Sequence, residues 1–266
     1  MLLEAFFAAP TFRARPYGFM AYPLMTVFGK LSHSRLRKMA RAGEQIQECY
    51  RLLEKTDDNI VGEVLRGHGD FYEWEHYPPG DVYDIESHAQ YYYHAHPPEG
   101  RAKKFGVEHG HFHTFLRPKG MPKSVKPADL PDFKKPKGEN TALTHFIGIS
   151  MNRAGYPIRL FTTNRWVTRE TWYFSKSVKS MLNSFSVDQA YPSLPVNIWI
   201  TAMMILFRPN IETLLLERDK AVHEWRVRYP KENAFEDRKL EITSIQEVSV
   251  EDQIEVVHKA LKKKKP

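Results

Sequence analysis

Between residues 88 and 116 the chain alternates. HAQYYYHAH and VEHGHFHTFL place imidazole or other aromatic rings at nearly every second position, Gln90 being the exception. Side chains on a β-strand point to opposite faces with period two, whereas an amphipathic helix repeats at i, i+3, i+4 and i+7. These segments therefore read as strands with one face rich in imidazole. FYEWEHY upstream has the same character, and PPGD supplies a turn before the alternation resumes. Whatever else the chain forms has to cover and support this sheet.

The flanking segments follow a helical period. From Ser34, SRLRKMARAGEQIQECYRLLEK sets Leu36, Met39, Ala40, Ile46, Cys49, Leu52 and Leu53 mostly on one stripe. A short second helix, capped by Thr56 or Asp57, is predicted in DNIVGEVLRG and ends at Gly67. Strand signals return in ALTHFIGISMN and PIRLFTTN. The RAGYP turn between them is too short for a crossover helix, so the two strands form an antiparallel hairpin. Helices are then predicted in RETWYFSKSVKSMLNSF, with Thr168 as N-cap, in VNIWITAMMILF, and in PNIETLLLERDKAVHEW, which Pro209 starts or kinks. KLEITSIQEVSV reads as a strand, and Ser249 with Asp252 as the cap of a last helix.

Helices, then strands, then helices indicate an α+β fold. The expected sheet is antiparallel, open or closed in a barrel- or sandwich-like form, carries a histidine-rich face, and is flanked by N- and C-terminal helices. The expected organisation is an irregular arm over residues 1–32, one α+β domain over 33–230, and a strand–helix extension over 231–266. Five prolines and six lysines mark 118–139 as a mobile loop.

Composition narrows the function classes. With 42% hydrophobic and 13% aromatic residues, the 266-residue chain can bury a core without covalent staples. Cys49 is its single cysteine, which excludes an internal disulfide framework and a cysteine-built zinc site. The net charge of +7 resides mainly in Lys262 to Lys265 and in the 118–139 lysines, and the remainder is close to neutral. Aromatic residues do not interleave with these lysines as a single-strand groove would require, so nucleic acid is not the expected partner. The start, MLLEAFFAAP, lacks the basic region of a signal peptide. The longest later apolar run, IWITAMMILF, is about half of the ~20 residues a membrane-spanning helix needs. No transmembrane segment is expected, and the expected location is cytoplasmic.

The chemistry concentrates in histidine. His109, His111 and His113 are expected on one strand face, with Glu108 turned away to pair with Arg101, Lys103 or Lys104. His88, Gln90, Tyr92, His94 and His96 are expected on one face of the preceding strand, and His145 approaches from a third. Close imidazoles repel when protonated and each need a partner when neutral, so a bound metal is a natural centre for them. The expected ligands are His94, His96, His109, His111, His113 and His145, holding a divalent transition metal: iron or zinc first, then copper or nickel. Asp81 and Asp84 are acid–base candidates, and Tyr92 could offer its hydroxyl to a ligand. Arg159 and Arg165 could bind an anionic group of a substrate or cofactor; the competing reading pairs these arginines with local acids.

Three functions fit these residues. One is a metalloenzyme acting on a small molecule, by non-heme iron oxygen chemistry or zinc-dependent hydrolysis. Another is a non-enzymatic metal-handling or accessory subunit, with a protein partner engaged by the N-terminal arm. The last is RNA or anionic-surface binding through the basic segments. Whether the protein is an enzyme stays open at this point.

HYPPGDVYD, QYYYHAH, EHGHFHTFLRP, GYPIRLFTTNRWVT and LLLERD together resemble an uncharacterised bacterial family, a domain of unknown function. The resemblance spans about residues 36 to 225. It implies a single domain and no particular reaction.

Overall fold

A computed structural model of the protein describes residues 28–97, 107–133 and 136–264. The expected N-terminal arm up to residue 27 lies outside the described residues, as do Arg101, Lys103 and Lys104. Phe28 and Leu31, at the end of that arm, are buried in the core.

Helix α1 runs from His33 to Glu54, and Ser32 caps it by accepting from Arg35 N. Its apolar stripe, including Leu36, Met39, Ile46 and Leu53, is buried. Helix α2, Ile60–Leu65, is capped by Asn59, whose Oδ1 accepts from Val61 N and Gly62 N. Six strands follow: β1 Tyr77–Tyr83, β2 Ala89–His94, β3 Gly110–Leu116, β4 Thr144–Met151, β5 Pro157–Thr163 and, much later, β6 Ile242–Glu247. They form one open antiparallel sheet in the order β1-β2-β3-β4-β5-β6. The barrel and sandwich alternatives are therefore not adopted. The predicted β4–β5 hairpin is present. Its turn carries Gly155 at φ +79, where a Cβ would also lie 2.5 Å from Asn59 Oδ1.

Between β5 and β6 the chain is helical, with one departure from expectation. Asn164, not Thr168, is the cap, and it starts a one-turn helix, α3, Arg165–Thr168. Arg169 then turns left-handed at φ 53 and the chain runs extended to Phe174 before α4, Ser175–Met181. The extended piece carries Glu170, Trp172 and Tyr173 into the interior, where a helix could have buried only one side. Helices α5, Leu194–Leu206, and α6, Arg208–Arg228, follow, bent by 71° around Phe207 and Pro209. The last helix, α7, Val250–Lys262, is capped by Ser249 through Asp252 N.

The region expected as an extension is integral to the domain: β6 completes the sheet against β5, and α7 packs on α1. The described part of the lysine–proline segment is also anchored. Ala128 N donates to Trp172 O, and Ala128 and Leu130 are buried.

The two faces of the sheet differ. On one, Tyr91, Tyr93, Phe112, Ile147, Ile149 and Leu160 pack beneath the helices; Phe112 meets Trp199 of α5, and Tyr91 Oη donates to Asn197 Oδ1 at 2.5 Å. Trp199, Ile200, Met203 and Leu206 are almost fully buried there, so the longest apolar run is core. No single helix among the described residues is long and apolar enough to cross a membrane. The opposite face carries the histidines.

Candidate metal centre

Strand register assembles the site. Residues directly opposite one another across a ladder share a face. His94 pairs with His111, then Ser150, Arg159 and Glu247 across successive strands. The next row is Tyr92, His113, Gly148, Phe161 and Ile245. Two adjacent strands thus bring His94, His111 and His113 together, with one ring nitrogen of each lying within 4.8 Å of the others. His111 and His113 are 1% exposed and His94 is partly buried.

The surroundings orient each ring. His111 Nδ1 faces Glu108 Oε1 at 2.9 Å and its Nε2 faces His94 Nε2 at 2.7 Å. His113 Nδ1 lies 3.0 Å from His145 Nε2. His96 extends the group, its ring 4.7 Å from His94 and 5.3 Å from His111, with Trp74 against it at 4.1 Å. Phe161 closes the other side, edge-on to His111 at 5.3 Å and to His113 at 5.8 Å. Gly148 makes room for it, since a Cβ there would sit 2.3 Å from the Phe161 ring.

Two neighbours of β3 exchange their expected places. The strand begins at Gly110, so alternation does not extend back to residues 108 and 109. His109 does not share the face of His111: its N–H donates to Met151 O, and its ring turns to the helix side, where Nδ1 meets Tyr93 Oη at 2.7 Å. Burial, and then the Arg153 charge, hold its pKa down. Glu108, expected to face away, is instead the carboxylate on His111. His88 also lies outside its strand, at φ +61, and contacts Tyr83 Oη at 2.5 Å.

His145 reaches the cluster through a β-bulge. Thr114 pairs with Ile147, but Phe115 pairs with His145, leaving Phe146 as the extra residue. Strict alternation would put His145 on the helix face with Ile147 and Ile149. The bulge turns it over, against His113. It is buried, and burial, assisted by the Arg218 charge, lowers its pKa to about 3. Behind it, the buried Glu170 accepts from His145 N at 2.8 Å and from Thr144 Oγ1 at 3.2 Å. Burial raises the Glu170 pKa to about 7 despite Arg218 and these donors.

Glu170 thus favours its protonated form in the fold. Between about pH 4.5 and 7 the unfolded chain releases this proton while the native state keeps it, so Glu170 costs stability as pH rises. Glu170→Gln should remove that cost. Urea unfolding should show the variant gaining on the parent by about 1.4 kcal/mol per pH unit across this window, and a constant difference would refute the assignment.

The remaining candidates divide. Asp81 Oδ1 meets His76 Nδ1 at 2.9 Å and its Oδ2 accepts from Gln90 Nε2 at 2.6 Å, while Arg117 Nε donates to Gln90 Oε1. His76 had no assigned role in the sequence. Its ring lies flat on Tyr92 at 3.6 Å and 5.7 Å from His94, so Asp81, His76 and Tyr92 border the cluster. Asp84 is elsewhere: its Oδ1 accepts from Glu86 N and Ser87 N and holds a turn. Arg159 is on the histidine face in the His111 row and lies 3.9 Å from Glu247. Arg165 is remote, engaged by Asp132 and Glu236.

Fold and site together define an α+β domain whose open sheet bears a buried histidine cluster sized for a metal ion. The chain belongs to the DUF6969 family, a domain of unknown function, which it matches over residues 40–248. No curated protein and no solved structure matches it.

Proposed function

We propose that His94, His111 and His113 hold one divalent transition metal and that the protein is a metalloenzyme acting on a small molecule. The observation that carries this reading is the convergence of three imidazole nitrogens within 4.8 Å on a stiff, buried sheet face. Ligating histidines characteristically give their other nitrogen to a carboxylate or similar acceptor, as His111 does to Glu108. The two Nε2 atoms at 2.7 Å are somewhat close. Tetrahedral ligands at ~2.0–2.1 Å from zinc stand roughly 3.3 Å apart, so the rings need to separate by only about half an ångström.

The donor set favours zinc over iron. Non-heme iron oxygenases use two histidines and a carboxylate, whereas three imidazoles with an open position suit a catalytic zinc. Such a metal supplies hydroxide at neutral pH, which points to hydrolysis or hydration. The His76–Asp81 pair would accept the proton, with Tyr92 beside it. Arg159, two strands from His111 and hence roughly 10 Å away, would hold an anionic end of the substrate.

The surplus imidazoles, His96 and His145, support a second reading, a metal-handling protein without catalysis. Elemental analysis of protein purified without added metal separates the two. About one tightly held zinc per chain is expected. Several loosely held ions, stripped by mild chelation without unfolding, would favour metal handling, and no metal on reconstitution would overturn both.

A further inference from the structure

We propose that His145, expected from the sequence as a ligand, is instead a positioning residue: it accepts a hydrogen bond from His113 Nδ1 and so fixes His113 in the tautomer whose Nε2 is bare for the metal. This role rests on the metal reading of the histidine trio. It gives one of the two surplus imidazoles a place that needs no second ion.

His145 stands outside the ligand set. The nitrogens that converge within 4.8 Å belong to His94, His111 and His113. His145 lies behind His113, with ring centres 4.9 Å apart and its Nε2 3.0 Å from His113 Nδ1. The bulge at Phe146 delivers it there. Both residues are buried, at 1% and 2% exposure. Two nitrogens this close in the interior share one proton: one carries it and the other accepts.

The far side of His145 sets the sense of the bond. Its Nδ1 faces Thr163 Oγ1 at 3.5 Å, a hydroxyl that can give or take. The Ile147 main chain also accepts from the ring. With Nε2 turned to His113, the N–H of His145 is at Nδ1. Nε2 then has only a lone pair to offer, and His113 supplies the proton from its own Nδ1. In a neutral imidazole this leaves His113 Nε2 unprotonated. The reverse bond would place the His113 proton on Nε2 and close that nitrogen to a metal. His111 follows the same plan, with Nδ1 on Glu108 Oε1 at 2.9 Å and Nε2 toward His94. Outer partners of this kind fix the tautomer and orientation of a ligating ring.

The test records two-bond ¹H–¹⁵N imidazole correlations of the full chain, labelled with ¹⁵N and ¹³C. Spectra are taken first without metal, at about pH 8, above the ordinary histidine range. The rings are assigned through bonds to their own backbone, so no variant is needed. His113 and His145 should both carry the proton on Nδ1. Added zinc should move His113 Nε2 and leave the His145 nitrogens where they were. Chelator competition should show zinc held about 10- to 100-fold more weakly by His145→Leu, with His145→Gln, whose amide oxygen still accepts, nearer the parent. A proton on His113 Nε2 in the metal-free chain overturns this role and leaves the metal reading intact. So does a His145 nitrogen that zinc moves as it moves the trio, or a His145→Leu protein that holds zinc as tightly as the parent. Zinc that moves no imidazole signal overturns the metal reading, and this role with it.

Discussion

His111→Ala should strip the protein of its metal, and His109→Ala, two residues earlier in the same motif, should leave the metal in place. His111 stands at the middle of the cluster, 2.7 Å from His94 Nε2 and 4.9 Å ring to ring from His113. His109 is turned to Tyr93 on the other side of the sheet. Metal content read by elemental analysis should fall from about one equivalent to near zero in the first variant and stay at about one in the second. Glu108→Gln should lie between them, because it changes the partner of a ligand and not a ligand; such changes typically weaken metal affinity about 10- to 100-fold. Equal retention by His111→Ala and His109→Ala would exclude the proposed centre. So would loss in both without unfolding, since only one of the two rings is in reach.

Gly148→Ala should be among the costliest small substitutions in the sheet. Gly148 lies between His113 and Phe161 in one row, and an added Cβ would meet three Phe161 ring atoms at 2.3 to 2.6 Å. The ring has little freedom to retreat, because it is 3% exposed and backed onto His111 and His113. Overpacking of this kind costs about 3 kcal/mol, or a melting temperature lower by roughly 6–12 °C in a chain of this size. The same displacement should push Phe161 into the two imidazoles and weaken metal binding. Phe161→Leu in the same chain should recover part of the loss, since the colliding ring is gone and the effects of touching residues do not add. A Gly148→Ala protein as stable as the parent would mean that Phe161 does not occupy this position.

The sequence carried the class of the fold because its periodicities are local properties. A period of two in QYYYH and HFHTFL and a helical stripe from Leu36 to Leu53 are readable without any tertiary contact, and both elements form where the pattern lies. The shared face of His111 and His113, and that of Tyr92 and His94, follow from the same rule. Caps with a side-chain oxygen at the right offset, such as Ser249 before α7, are equally local. The family resemblance rests on the same kind of short motif, and the match over residues 40–248 agrees with it.

Alternation holds only inside a regular ladder, and the tertiary structure decided where each ladder stops. β3 begins at Gly110, so a main-chain bond from His109 N to Met151 O, and not strand parity, set the exchange of His109 and Glu108. The bulge at Phe146 turned His145 over to meet His113. Nothing in LTHFIGISM signals this, because a bulge depends on how the partner strand Gly110–Leu116 must bend to stay paired. His76 lies just before β1 and Asp81 within it, and only the folding of β1 beside β2 lays His76 on Tyr92. The sequence by itself therefore determined which residue types line the sheet. Register, bulge and strand end decided which of those side chains share a volume, since these depend on hydrogen bonds between segments far apart in the chain.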